Sequence, residues 1–175
     1  MSVDSDDEKF EVGPKPAAPR PGLSLKARAV GLLSRREHSR RELERKLAPH
    51  AQSPEELSAV LDELSEAGWQ SDERFTNGWV HRKASGHGLT RIVQDLKAQG
   101  IASEAIATVR TELKETEYAR AQVVWSKKFG SRQTQTPLTQ AEYAKQGRFL
   151  ASRGFSVEII RRVLKNASSP DFPND

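Results

Sequence analysis

A chain of 175 residues with 35% apolar and 30% charged side chains suits one compact domain or a few small modules, built from thin helices with broad wet faces. The absence of cysteine excludes a disulfide framework, a thiol nucleophile and the commonest zinc ligand. The formal charge of +4 hides an uneven distribution: three basic and five acidic residues in 1–22 and two Asp in 168–175 leave 25 basic against 17 acidic in 23–167, a net +8. Such a core favours nucleic acid or an acidic protein surface as partner.

Residues 1–22 combine acidic residues with Pro14, Pro16, Pro19 and Pro21 and read as a disordered arm, as does the tail 168–175. The start of the chain lacks the basic and apolar stretches of a secretory signal, and no apolar run is long enough for a bilayer. A cytoplasmic protein without membrane contact is expected. Between the ends the period is helical throughout, and an all-α fold follows. Nine helices are expected, near 25–36, 40–49, 54–67, 73–84, 90–99, 103–113, 117–128, 139–153 and 157–165. Ser39 with Glu42, Ser53 with Glu56 and Thr139 with Glu142 place a hydroxyl three residues before a carboxylate, the reciprocal pattern of a helix start. Asp72 reads as a further N-cap. Gly68, Gly100 and Gly154 follow apolar stretches and read as helix stops.

Aligning residues 42–51, 91–100 and 145–154 superposes Leu43, Ile92 and Gln146, then Leu47, Leu96 and Leu150. Each segment is preceded and followed by another amphipathic helix, so the unit is three helices, repeated at offsets of 49 and 54 residues. The expected divisions are 23–70, 71–114 and 115–167, the last with a flexible loop at 130–138. Units of this size bury too little alone and stack, giving an elongated, curved, right-handed or crescent-like rod.

Enzymatic patterns are missing. There is no phosphate-binding G-x-x-x-x-G-K-[ST] loop and no G-x-S-x-G elbow, and His38, His50, His81 and His87 fit no metal-ligand spacing. No catalytic residue, metal or cofactor is expected. Asp72 and Glu73 are adjacent, and neighbouring helical side chains do not converge on one bond. Trp69, Trp79 and Trp125 lie on apolar stripes and are assigned to the core in preference to base stacking.

The series Ser39, Glu42-Leu43, Lys46-Leu47; Gly68 with Asp72, Glu73 and Phe75; Gly88, Leu96, Gly100-Ile101; and Arg153-Gly154-Phe155-Ser156 resembles the bacterial RecX family of regulatory proteins, over Ala27 to Leu164. Thr76, where the family usually has Ala, and the lack of a Gly near residue 51 depart from its pattern and concern local packing. The resemblance implies tandem three-helix repeats that bind RecA, lodge in the groove of its filament on single-stranded DNA, and inhibit strand exchange, ATP turnover and coprotease activity. It implies a regulator of recombination, DNA repair and the SOS response.

Contact with RecA or DNA is expected from recurring basic patches. These are Arg35, Arg36, Arg40, Arg41, Arg45 and Lys46 in the first unit; Arg82, Lys83 and Arg91 in the second; and Lys127, Lys128, Arg148, Arg153, Arg161 and Arg162 in the third. Direct DNA binding is expected to be weak and sequence-independent, and the protein a monomer. Two other readings remain: a self-sufficient helix-turn-helix DNA-binding protein built on helices 40–49 and 54–67, and a helical scaffold for an acidic protein partner.

Overall fold

A computed structural model of the chain describes residues 22–130 and 138–168. The expected arm apart from Gly22, the interior of the expected loop and the tail beyond Ser168 lie outside the described residues. Eight α-helices follow in order: α1 (Leu25–Leu33), α2 (Arg40–Leu47), α3 (Pro54–Glu66), α4 (Asp72–Ala84), α5 (Leu89–Ala98), α6 (Ser103–Phe129), α7 (Gln140–Ser152) and α8 (Val157–Ser168). One 3₁₀ turn, Ala48–His50, follows α2, and no strand occurs among the described residues.

The break expected between helices 103–113 and 117–128 is not there; α6 runs unbroken for 27 residues. Lys114, Glu115 and Thr116 include neither Gly nor Pro. The apolar stripe also stays in phase across them, as buried Ile106, Val109, Leu113, Glu117, Ala121, Val124 and Trp125 follow each other at helical spacing. One helix therefore closes the second three-helix unit and opens the third.

Three separate hydrophobic clusters hold the three units. The first gathers Leu25, Ala29, Leu43, Leu47, Leu57, Leu61 and Leu64 from α1 to α3. The second centres on Phe75, Ile92, Leu96 and Leu113, with Trp79 packed against it. The third joins Trp125 and Leu150 to Phe155, Val163 and Leu164, with the Trp125 indole donating to Gln146 Oε1 at 2.6 Å. Trp69, expected in the core, is instead 54% exposed. It sits beyond the end of α3 on a turn fixed by its amide to the Leu64 carbonyl and by Arg74 donating to its own carbonyl.

Helix starts are largely local. Ser24, Ser39, Ser53, Ser71 and Thr139 each accept an amide three residues on. Only Thr139 and Glu142 form the reciprocal box. Glu42 is drawn away to Arg36 and His38, and Glu56 accepts from the Gln52 amide. Asp72 does not cap its own helix, because Ser71 does. Its Oδ1 accepts the Arg40 amide of α2 at 2.8 Å, 32 residues away.

That contact is the first instance of a repeated device. In the first two units the first amide of the middle helix is capped by a carboxylate from the first helix of the next unit: Arg40 N by Asp72, and Leu89 N by Glu117 at 3.1 Å. Helix N-termini leave such amides unpaired, and their partial positive charge favours an anion. The third middle helix, α7, is capped from within by the Thr139 box.

The stops complete the device. Gly100 and Gly154, at φ +77° and +82°, end α5 and α7 and lie against the preceding unit's middle helix. A Cβ at Gly100 would meet Arg41 Cδ at 2.9 Å, and one at Gly154 would meet Arg91 Cβ at 2.5 Å. Within the described residues no unit precedes α2, and there the chain turns through the Pro49 3₁₀ segment with Ala51 at φ −79°. The missing Gly near residue 51 thus falls where no such close approach is required.

Candidate functional site

In the first unit the six candidate cations divide three ways. Arg35 and Lys46 face each other across a cleft of roughly 400 Å³ between α1 and α2, joined by Arg28 and His50 above Leu32 and Leu47. Arg41 and Arg45, one turn apart on α2, line a second cleft against Ala98 and Gln99 of the next unit. Arg36 and Arg40 are held by carboxylates: Arg36 by Glu42, and Arg40 by Asp62 of α3 at 2.7 Å. Arg28 and His50 are additions to the sequence reading. Arg28 on α1 and Arg35 in the turn just after it lie seven residues apart, and that spacing is the available signal.

Behind Arg36 lies a buried polar cluster at the seam between the first two units. His38 and Glu42 are 3% and 7% exposed, with His38 Nδ1 at 3.0 Å from Glu42 Oε2. The His38 carbonyl accepts from Gln70 Nε2, which also donates to Asp72. Burial pushes the His38 imidazole below its ordinary pKa despite the attraction of Glu42. Burial alone would raise the Glu42 carboxyl, but hydrogen bonds from Arg36 and the nearby His38 outweigh it and leave the carboxyl lowered. The same Glu42 hydrogen bond raises the Arg36 guanidinium.

In the second unit Arg82 is exposed, Lys83 lies over the Trp79 ring at 5.3 Å, and Arg91 pairs with Asp95 at 3.2 Å. In the third, Arg153 stacks on Phe149 at 4.6 Å and donates to the Gly86 carbonyl, crossing the seam to the second unit. Arg162 lies over Tyr118 at 4.0 Å. Lys127, Lys128, Arg148 and Arg161 are exposed and make no ion pair among the described residues.

The cations therefore do not converge on one pocket. They recur along the array, and an array of this kind suits an extended polyanion or a repeating partner better than a small molecule. One half-buried guanidinium, Arg120, was not singled out in the sequence. It donates to the carbonyls of Ala84, His87 and Leu113 and ties α6 to the end of α4, with burial lowering its pKa. Among the described residues no group of His, Asp or Glu is placed to hold a metal ion. None of the described helices is long and apolar enough to cross a membrane.

Comparison with known proteins agrees with the three-unit geometry. Residues 26–64, 71–109 and 115–164 match the first, second and third three-helix domains of RecX. The chain is 48% identical over 153 residues to the regulatory protein RecX of Ralstonia nicotianae, covering 87% of this chain and 94% of that one. It is 40% identical over 156 residues to that of Neisseria meningitidis serogroup B, covering 89% and 99%. The crystal structure of RecX from Lactobacillus salivarius superposes with a TM-score of 0.69 over 82% of this chain and 94% of that one, at 17% identity.

Proposed function

The chain belongs to the RecX family of regulatory proteins, and from that premise we propose that it binds the RecA filament on single-stranded DNA and inhibits strand exchange, ATP hydrolysis and coprotease activity. The family is one of regulators, and no catalytic role is assigned to any residue. The observation that carries the reading is the array itself: three matching units, each presenting cations, spaced by a repeated seam. If each unit makes a modest contact with a repeating filament, the second and third contacts become intramolecular, and avidity grows by about 10²–10⁴ when the spacing matches.

The exposed cations without an ion pair among the described residues, chiefly Arg41, Arg45, Arg82, Lys127, Lys128, Arg148 and Arg161, would face RecA or the DNA it carries, while Arg36, Arg40 and Arg91 are paired with carboxylates of their own unit. Direct DNA binding would be weak, indifferent to sequence and steeply reduced by salt, by a monomeric protein in the cytoplasm. A self-sufficient helix-turn-helix reader is disfavoured by α3. The second helix of such a motif enters the major groove, yet α3 carries Glu55, Glu56, Asp62, Glu63 and Glu66 and no Lys or Arg.

The test is a purified RecA strand-exchange assay with ATP hydrolysis followed in parallel. Inhibition at substoichiometric protein is expected. No inhibition at equimolar protein overturns the reading, and binding that survives nuclease treatment without RecA would favour an acidic protein partner instead.

A further inference from the structure

The cleft between α1 and α2 is basic at its rim and apolar at its floor, and the chain itself carries a complement. Arg28, Arg35 and Lys46 surround it with His50, above Leu32 and Leu47, and none of the three cations has a carboxylate partner among the described residues. Two carboxylates of α3 are engaged elsewhere: Glu63 holds Lys26 and Asp62 holds Arg40.

The segment 4–11 reads Asp-Ser-Asp-Asp-Glu-Lys-Phe-Glu. It holds all five acidic residues of 1–22 against one lysine, a net −4, with Phe10 as an apolar side chain among them. The described chain begins at the edge of the same cleft. Leu23 lines it, and the Leu23 carbonyl accepts from Arg28 Nε at 3.1 Å. From Glu11 to Leu23 an extended chain spans at most about 40 Å, so the acidic segment reaches every part of a cleft that starts where it is tethered. Tethering gives it an effective concentration on the order of millimolar, enough for a weak contact to be populated.

We infer that the acidic segment 4–11 docks in cis on the basic cleft lined by Arg28, Arg35, Lys46 and His50, and competes there with the phosphates of nucleic acid. The docking stands apart from the filament reading; only its consequence, a damping of the first unit's contact with a DNA-bearing filament, rests on it. The docked contact is electrostatic, held at low salt and lost as screening rises.

Full-length protein carrying Ser5→Cys tests the contact directly, since the chain has no other cysteine and takes a single nitroxide. At 50 mM salt the label broadens the amide signals around Arg28, Arg35, Lys46 and His50. At 500 mM salt, or in the background Arg35→Glu with Lys46→Glu, that broadening is lost. Absence of local broadening at low salt, broadening centred elsewhere, or broadening unchanged by the charge reversal overturns the docking.

A second arm reads the competition with a 20-nucleotide single-stranded oligonucleotide. Neutralising the segment, by Asp4→Asn, Asp6→Asn, Asp7→Asn and Glu8→Gln together, tightens binding about threefold to tenfold at low salt, the scale of a few exposed ion pairs. The same neutralisation in the charge-reversed cleft gives no gain. An equal gain in both backgrounds shows general repulsion in place of a docked segment and overturns the competition. Neither arm contains RecA, so failure here is distinguishable from failure of the strand-exchange assay.

Discussion

Between the first two units the polar contact is made by side chains: Arg74 to Glu37 at 2.7 Å, Asp72 to the Arg40 amide, and Ser39 Oγ to Gln99 at 3.4 Å. Between the second and third, backbone joins backbone as well as side chain. The Gly88 amide donates to the Arg153 carbonyl at 2.9 Å and the Thr90 amide to the Gly154 carbonyl at 3.2 Å, and a Cβ at Gly88 would stand 2.2 Å from the Gly154 oxygen. Both seams use a carboxylate cap and a left-handed glycine, and side chains cross both, Arg153 and Arg120 at the second, but among the described residues only the second adds direct backbone-to-backbone bonds. Continuity of α6 adds a covalent rigid link to the second seam alone. The second seam should therefore be stiff and intolerant, and the first soft and tunable.

The sharpest test substitutes the two equivalent glycines. Their φ values are nearly equal, so the backbone penalty of about 1–2 kcal/mol for a left-handed alanine is shared. At Gly100 the new Cβ meets only the flexible Arg41 side chain, whereas at Gly154 it meets the Arg91 backbone nitrogen at 2.6 Å. Gly154→Ala should cost about 3 kcal/mol or more in urea unfolding, with overpacking added, and Gly100→Ala about 1–2 kcal/mol. Equal losses would abolish the distinction between the seams.

Next come the caps. Glu117 is 4% exposed, so Glu117→Ala strands the Leu89 amide away from water and should cost about 2 kcal/mol. Asp72 is half-buried, and Asp72→Ala should cost about 1 kcal/mol because water can replace part of the bond. Glu117→Gln and Asp72→Asn, which keep an acceptor, should recover much of each loss. A third test is acidification, which should weaken the first seam through its own cluster. His38 has a lowered folded pKa, so its contribution is present above the unfolded value near 6.5 and is lost as pH falls below it. Glu42, also lowered, loses its contribution further down, below the ordinary carboxylate range. The thermal midpoint should therefore fall from about pH 6.5 towards pH 4 through His38, and more steeply in Glu42→Gln, because losing the Glu42 charge leaves the buried imidazole harder to protonate. The smallest stability effect belongs to Arg41→Glu with Arg45→Glu, within about 0.5 kcal/mol because neither has an ion pair among the described residues. Strand-exchange inhibition should nonetheless drop severalfold; unfolding of this variant would show that the second cleft is structural.

Much of the fold was legible because its signals are local. A hydroxyl three residues before the amide it caps, and a glycine after a periodic stretch, act within one turn, and Ser39, Ser53, Thr139, Gly100 and Gly154 took the places their neighbours dictated. The seams were less legible because their partners are distant in sequence. Asp72 looks like a cap for α4, and only the fold brings the α2 amide to it. Glu42 fits a capping box by spacing, yet buried His38 and Arg36 compete for its carboxylate. The false break at 114–116 came from giving each unit three helices of its own, although no residue there stops a helix. The candidate cations were legible as types, but whether a given arginine meets solvent or a carboxylate, as Arg45 and Arg40 do, depends on packing that charge patterning does not encode.

The unbroken α6 also sets an indexing rule. Along an α-helix each residue advances about 1.5 Å and turns about 100°, so the stretch around Lys114 to Thr116 works as a shaft whose length fixes the dial setting of the third unit against the second. One inserted residue would swing the third unit by about 100° and face its cations a different way, while seven residues, close to two full turns, would nearly restore the bearing at the cost of about 10 Å of separation. Relatives of this chain should thus vary freely in the length of the segment between α6 and α7 but change the length of α6 itself only in steps that keep its angular phase.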